Sequence, residues 1–155
     1  MKMYKELYNE FLAILKKTPI VFSYLCLDEL YTFYRKKDNR VYVWSAVGVT
    51  KTGRKFYFYF LSKKKNIDSL LSFNFDLPKV EKYYTDGHFA YSNVYGDKAS
   101  QKKSKYTNLV ENLNSQMRDK ISYLVRKTKA HAKSFDWLDN RLAMFFFNLN
   151  LKGNK

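Results

Sequence analysis

The 155-residue chain has only 14 acidic residues against 29 lysines and arginines. Three of the acids stand where chemistry could need them. Asp28 follows the apolar run Val21 to Leu27, Asp86 follows the run Val80 to Thr85, and Glu111 opens a periodic stretch. Carboxylates that converge from separate elements can hold divalent cations. Two such ions about 4 Å apart neutralise the attacking and leaving oxygens of a phosphodiester. Mg²⁺ (or Mn²⁺) prefers oxygen donors and keeps several waters, so a few carboxylates suffice. Asp28, Asp86 and Glu111 are therefore the expected catalytic and metal-binding residues, with two ions. Each also has a plain structural reading. Asp28 could be a solvated strand end, Asp86-Gly87 is a common turn pair, and Asn108-x-x-Glu111 has the form of a capping box.

Basic residues surround this set. Arg118 lies seven residues after Glu111, almost two helical turns, so the two share a helix edge with Asn114 between them. An arginine so placed can meet a phosphate. Basic clusters occur at Arg35-Lys36-Lys37, Lys63-Lys64-Lys65, Lys102-Lys103-Ser104-Lys105 and Arg126-Lys127-Thr128-Lys129. The last two flank Glu111, so Lys102, Lys103, Lys105, Arg126, Lys127 and Lys129 join Asn114 and Arg118 as expected DNA contacts. The first two serve equally well as solvated loops. The net charge of +15 draws the chain to polyanions, nucleic acid before anionic membrane. Lysine supplies 23 of the 29 basic residues, and an AT-rich coding sequence would produce the same bias, so charge alone decides nothing.

Other classes find little support. One cysteine, Cys26, makes neither an internal disulfide nor a zinc knuckle, and fits a reduced, cytosolic setting, on the nucleoid if DNA is the partner. Within its apolar run it reads as a small buried hydrophobe. His88 reads better as a turn residue than as a ligand, and His131 as a surface group among basic residues. No glycine-rich phosphate loop is present, and no run of about 18 uncharged apolar residues would span a membrane. With 46% apolar and 19% aromatic residues the chain has the material for a core.

The elements that must position the acids follow from periodicity. Tyr4 to Lys17 carries apolar residues at helical spacing and stops before Pro19. Val21 to Leu27, Arg40 to Val49 and Lys55 to Leu61 read as strands, the last two joined by the turn Thr50-Lys51-Thr52-Gly53. Asn66 to Phe73 is a weaker helix, Val80 to Thr85 a short strand that delivers Asp86, and Phe89 to Tyr95 a short helix. Gln101 to Lys105 reads as a fifth strand. Helices over Asn108 to Arg126 and Ser134 to Leu149 close the chain. The first three strands pair locally, and later ones need crossovers and run parallel to the first. The expected fold is α/β, a ribonuclease-H-like mixed sheet of about five strands flanked by helices, one among several mixed architectures with this order. A helix in residues 1–20 would precede the domain in 21–155. Strands one and four would be neighbours, bringing Asp28 and Asp86 to one edge with Glu111 beside them.

The residues around the acids also resemble a family. Leu27-Asp28-Glu29, Tyr84-Thr85-Asp86-Gly87, Tyr106 to Asn114, and the basic run Arg118 to Ser134 are similar to the catalytic half of transposases of the insertion sequence 1 family. The 24 residues between Asp86 and Glu111, and a basic residue seven positions past the glutamate, fit that pattern. The resemblance implies a DDE transposase: Asp28, Asp86 and Glu111 as metal ligands, hydrolysis at the element's end, and strand transfer of the freed 3′-hydroxyl into target DNA. It implies element ends and target DNA as partners, and a homodimer or higher multimer on DNA. Family members also carry an N-terminal zinc-binding segment and a helix-turn-helix, which about twenty residues and one cysteine do not supply. The chain then reads as a separately encoded catalytic reading frame that works with a separate N-terminal DNA-recognition protein, as a trimmed piece of a longer protein, or as a degenerate remnant. A ribonuclease-H-like nuclease or resolvase, and a non-catalytic basic DNA-binding remnant, stay open as alternatives.

Overall fold

A computed structural model describes residues 3–33, 39–100, 102, 104–127 and 134–153, with side chains of 122–127 and 153 outside the description. The chain opens with helix α1 (Met3–Lys17), whose Tyr8 and Leu12 are buried. Strands β1 (Phe22–Phe33), β2 (Arg40–Thr50) and β3 (Lys55–Ser62) follow as an antiparallel meander. Helix α2 (Ile67–Asp76) is capped by Asn66, whose Oδ1 accepts the Ser69 amide at 3.0 Å. Strand β4 (Tyr83–Tyr84), helix α3 (Phe89–Tyr95), helix α4 (Asn108–Lys127) and helix α5 (Phe135–Gly153) complete it.

The sheet order is β3-β2-β1-β4, with β4 parallel to β1. Strand β2 lies inside the sheet, and from Val43 to Thr50 every residue is buried. A strand covered on both faces needs such a continuous apolar run. Register and ring contacts show what covers each face. Ser45 is paired with Tyr59, which stacks on Phe146 of α5 at 5.0 Å. On the opposite face Phe60 stacks on Phe73 of α2, and Trp44 meets Tyr91 of α3 edge-on. Helix α4 packs against β1 and β2, and α1 packs against α5. The outer edge of β3 is partly closed by Asn150 of α5, which accepts the Tyr57 amide at 2.8 Å and donates to its carbonyl at 2.9 Å. Side-chain pairing of this kind blunts an edge that would otherwise template another strand. Among the described residues no helix is long and apolar enough to cross a membrane.

Two expectations require correction. The sheet has four strands among the described residues, not about five. Near the expected fifth strand, Ala99 makes a single parallel bridge to Tyr83, and Lys105–Thr107 coils into a 3-10 turn. The physical reason is local competition. Ser100 Oγ takes the Thr85 amide at 2.9 Å, and Ser104 and Thr107 exchange side-chain bonds with each other's backbone, so ladder groups are satisfied by hydroxyls. Strand β1 also does not stop at Leu27. It runs through Asp28 to Phe33, paired with β2 down to Phe33↔Arg40. Asp28 is a mid-strand residue, because its polar side chain leaves the backbone ladder intact.

Candidate active site

Register fixes the first two acids. Cys26 pairs with Tyr84 across the parallel β1–β4 contact, so Asp28 and Asp86, each two residues further on, reach the same level. Strand β4 ends before Asp86, and the chain turns there. Asp86 Oδ1 accepts the His88 amide at 3.1 Å, and Gly87 has φ 93°, a backbone state that favours glycine. His88 then caps α3, with Nδ1 accepting the Ala90 amide at 3.3 Å. The turn reading of Asp86-Gly87 and the catalytic reading are thus compatible, since the turn aims the carboxylate.

Asp28, Glu29 and Asp86 each offer a carboxylate oxygen within 4.8 Å of the others. Asp28 is half-buried. Its Oδ1 accepts the Glu29 amide at 2.8 Å and its Oδ2 accepts Asn114 Nδ2 at 2.9 Å. Asn114 Oδ1 in turn accepts Ser45 Oγ at 2.7 Å. Glu29 is held differently. Its Oε1 pairs with Lys65 Nζ at 3.0 Å, its Oε2 accepts the Tyr91 hydroxyl, and its side chain is 5% exposed. Burial pushes the Tyr91 phenol well above its usual range, and the charge of Glu29 raises it further. Tyr91 therefore remains a hydrogen-bond donor.

Glu111 stands outside this close group. It is half-exposed on α4, one turn before Asn114. Asn108 already has helical angles (φ −59°, ψ −30°), and a capping box at this end is formed by Ser104 and Thr107. Helix α4 carries Glu111 toward the Asp28 face, because Asn114 on the same helix touches Asp28.

The DNA-contact residues separate. Asn114, expected to face DNA, is 2% exposed, with its amide nitrogen on Asp28 and its oxygen on Ser45. Arg118 is exposed and lines a groove of about 510 Å³ along β1, with Glu29, Tyr31, Phe33, Tyr42 and Lys65. Tyr31, 63% exposed, has the Arg40 guanidinium 4.6 Å from its ring. Lys102 and Lys105 are exposed, with Lys105 Nζ 5.2 Å from the Tyr106 ring. Lys103, Lys129 and the side chains of Arg126 and Lys127 lie outside the described residues, as does His131.

Sequence did not single out Ser45, and it offered Glu29 only within a motif around Asp28 and Lys65 only within a basic cluster. Neighbours in a strand point to opposite faces, so Glu29 reads as turned away from Asp28. The available signal was the Asp28-Glu29 adjacency, with a side chain long enough to return around the edge of β1. The donor set is all oxygen, which suits Mg²⁺ or Mn²⁺ and not a soft ion. Cys26, two residues before Asp28, is no ligand: it is buried, donates to the Tyr106 carbonyl at 3.0 Å, and burial pushes its thiol up to about 12.

No curated protein matches the chain. A family model described as IS1 transposase matches residues 23–151. That span takes in nearly all of β1, the acidic group, α4 and nearly all of α5, and the chain belongs to the IS1 transposase family.

Proposed function

We propose that the chain is the catalytic core of a metal-dependent DNA transposase with a ribonuclease-H-like sheet. One observation carries this beyond family membership: the β1–β4 register sets Asp28 and Asp86 at one level, their oxygens within 4.8 Å. Asp28, Asp86 and Glu111 would hold two Mg²⁺ or Mn²⁺ ions, which supply charge neutralisation at the attacking and leaving oxygens. Glu29 is the rival third carboxylate. Lys65 engages its Oε1 and Tyr91 its Oε2; the family-like spacing of 24 residues between Asp86 and Glu111 favours Glu111 for the role.

The chain's own side chains handle the DNA. Arg118 and Lys65 place cations on the groove that leads away from Glu29, where a DNA strand's phosphates would lie. Lys102 and Lys105 extend the basic surface near the start of α4. The reaction is hydrolysis of a phosphodiester at the element's end, followed by attack of the freed 3′-hydroxyl on a target phosphodiester. The working form is a dimer or larger assembly on paired ends.

The test is a joining assay with pre-cleaved element ends, plasmid target and Mg²⁺ or Mn²⁺. Joined product that disappears in Asp86→Asn supports the proposal. Metal-dependent cutting without joining would make the protein a nuclease or resolvase. Salt-sensitive binding with neither reaction would make it a DNA-binding remnant.

A further inference from the structure

We propose that Asn114 is a positioning residue: through a bridge from Ser45 it fixes the orientation of Asp28 and the height of α4, and does not contact DNA. The inference rests on the reading of Asp28 as a cation ligand. Three elements meet in the bridge. Ser45 on β2 is the register partner of Asp28 on β1, and Asn114 of α4 spans them with bonds of 2.7 and 2.9 Å. Ser45 is fully buried and Asn114 is 2% exposed, so water does not compete for either bond.

Chemistry fixes the amide's orientation. An ionised carboxylate only accepts, so the Asn114 nitrogen must face Asp28 and its carbonyl must face the Ser45 hydroxyl. Ser45 Oγ also lies 3.3 Å from the Asp28 carbonyl oxygen, but its single proton goes to the closer acceptor. Asp28 is then gripped at both oxygens, by Asn114 at Oδ2 and by the Glu29 amide at Oδ1. The same bond sets how far α4 stands from β1. Glu111 lies one helical turn earlier, so Asn114 places two of the proposed ligands with one side chain. A leucine of similar size would fill the space but leave Oδ2 without its donor.

The test measures direct Mn²⁺ binding by electron paramagnetic resonance and metal-free DNA binding, on the full chain. The variants are Asn114→Leu, Ser45→Ala and Asp28→Asn. Partners that orient a ligand typically account for about 10- to 100-fold in metal affinity. Asn114→Leu is expected to weaken Mn²⁺ binding within that range with metal-free DNA affinity unchanged. Ser45→Ala leaves Asn114 facing Asp28 but unanchored, and is expected to weaken Mn²⁺ binding by at least about threefold. It carries the test if Asn114→Leu does not fold. Mn²⁺ affinity within about twofold of the parent in the folded variants would overturn the inference. So would a loss of metal-free DNA binding in Asn114→Leu without a change in Mn²⁺ affinity. Unchanged Mn²⁺ binding in Asp28→Asn would instead refute the ligand assignment beneath it.

Discussion

Replacing Tyr91 with phenylalanine removes one oxygen from the middle of the molecule and leaves the ring contact with Trp44 in place. That oxygen donates to Glu29 Oε2, and the Glu29 side chain is 5% exposed. Water therefore does not take the lost donor's place, and the carboxylate keeps the Lys65 ammonium at 3.0 Å. A hydrogen bond to a buried charged group contributes about 1.5–3 kcal/mol. A loss of about 2 kcal/mol in unfolding free energy is the expected result. For a chain of 155 residues the unfolding entropy is about 2.1 cal/mol/K per residue, so the melting temperature should fall by roughly 6 °C. Urea and thermal melts of Tyr91→Phe, Glu29→Gln and the double variant form a cycle that isolates the pair. A coupling of about 1 kcal/mol or more is expected, because Tyr91→Phe removes the donor and Glu29→Gln removes the charge that strengthens the bond. If Tyr91→Phe costs less than about 0.5 kcal/mol, the level of an ordinary surface change, then Glu29 is not held as described.

Three further outcomes follow. In the joining assay Glu111→Gln should lose at least about 100-fold in rate, whereas Glu29→Gln should lose less than about tenfold. Arg118→Ala should weaken DNA binding evenly across sequences and reduce the slope of log affinity against log salt by about 1, read from binding isotherms at several salt concentrations. Cys26 should resist iodoacetamide at pH 8 until the chain unfolds, since its thiol is pushed up to about 12 by burial. The sign is set by the unfolded chain. There the thiol releases its proton near its ordinary value of about 8.5 while the native thiol keeps it, so this contribution to stability is intact below that pH. It declines as pH rises toward 12, by up to about 1.4 kcal/mol per pH unit, as alkaline urea titrations of Cys26→Ala against the parent would show.

The parts of the fold that could be read from sequence are those set by local pattern. The meander of β1 to β3 and the helices α1, α4 and α5 follow from apolar spacing, as does the stripe of Val110, Leu113, Met117 and Ile121 that α4 buries. What failed was decided by hydroxyls and by partners far along the chain. Ser100, Ser104 and Thr107 divert backbone groups from the expected fifth strand, an outcome no periodicity records. Strand β1 continues past Asp28 because β2 pairs with it over its whole length, and the acid gave no sign of that. Asn114 has the right helical phase for the edge that carries Glu111, but phase does not tell a buried position from an exposed one. The presence of Ser45, 69 residues away, makes the difference.

The same distinction separates the two glutamates. Asp28, Glu29 and Asp86 bring three carboxylates within 4.8 Å, and a cluster of like charges is costly unless something cationic joins it. The chain supplies one such group itself. Lys65 matches Glu29 at 3.0 Å, and the Tyr91 hydroxyl occupies the other oxygen. What would then remain to face a bound cation is the charge of Asp28 and Asp86, two carboxylates against the double charge of one Mg²⁺. A second ion needs a further carboxylate. Drawing on Glu29 would strand Lys65, 32% exposed at its side chain, and leave the Tyr91 hydroxyl without an acceptor in the core. Glu111 lies half-exposed on α4, one turn before the Asn114 that already meets Asp28. Lys65 and Tyr91 thus make Glu29 a fixed wall of the acidic group, and whether it or Glu111 serves as a third ligand is what the comparison of Glu111→Gln with Glu29→Gln decides.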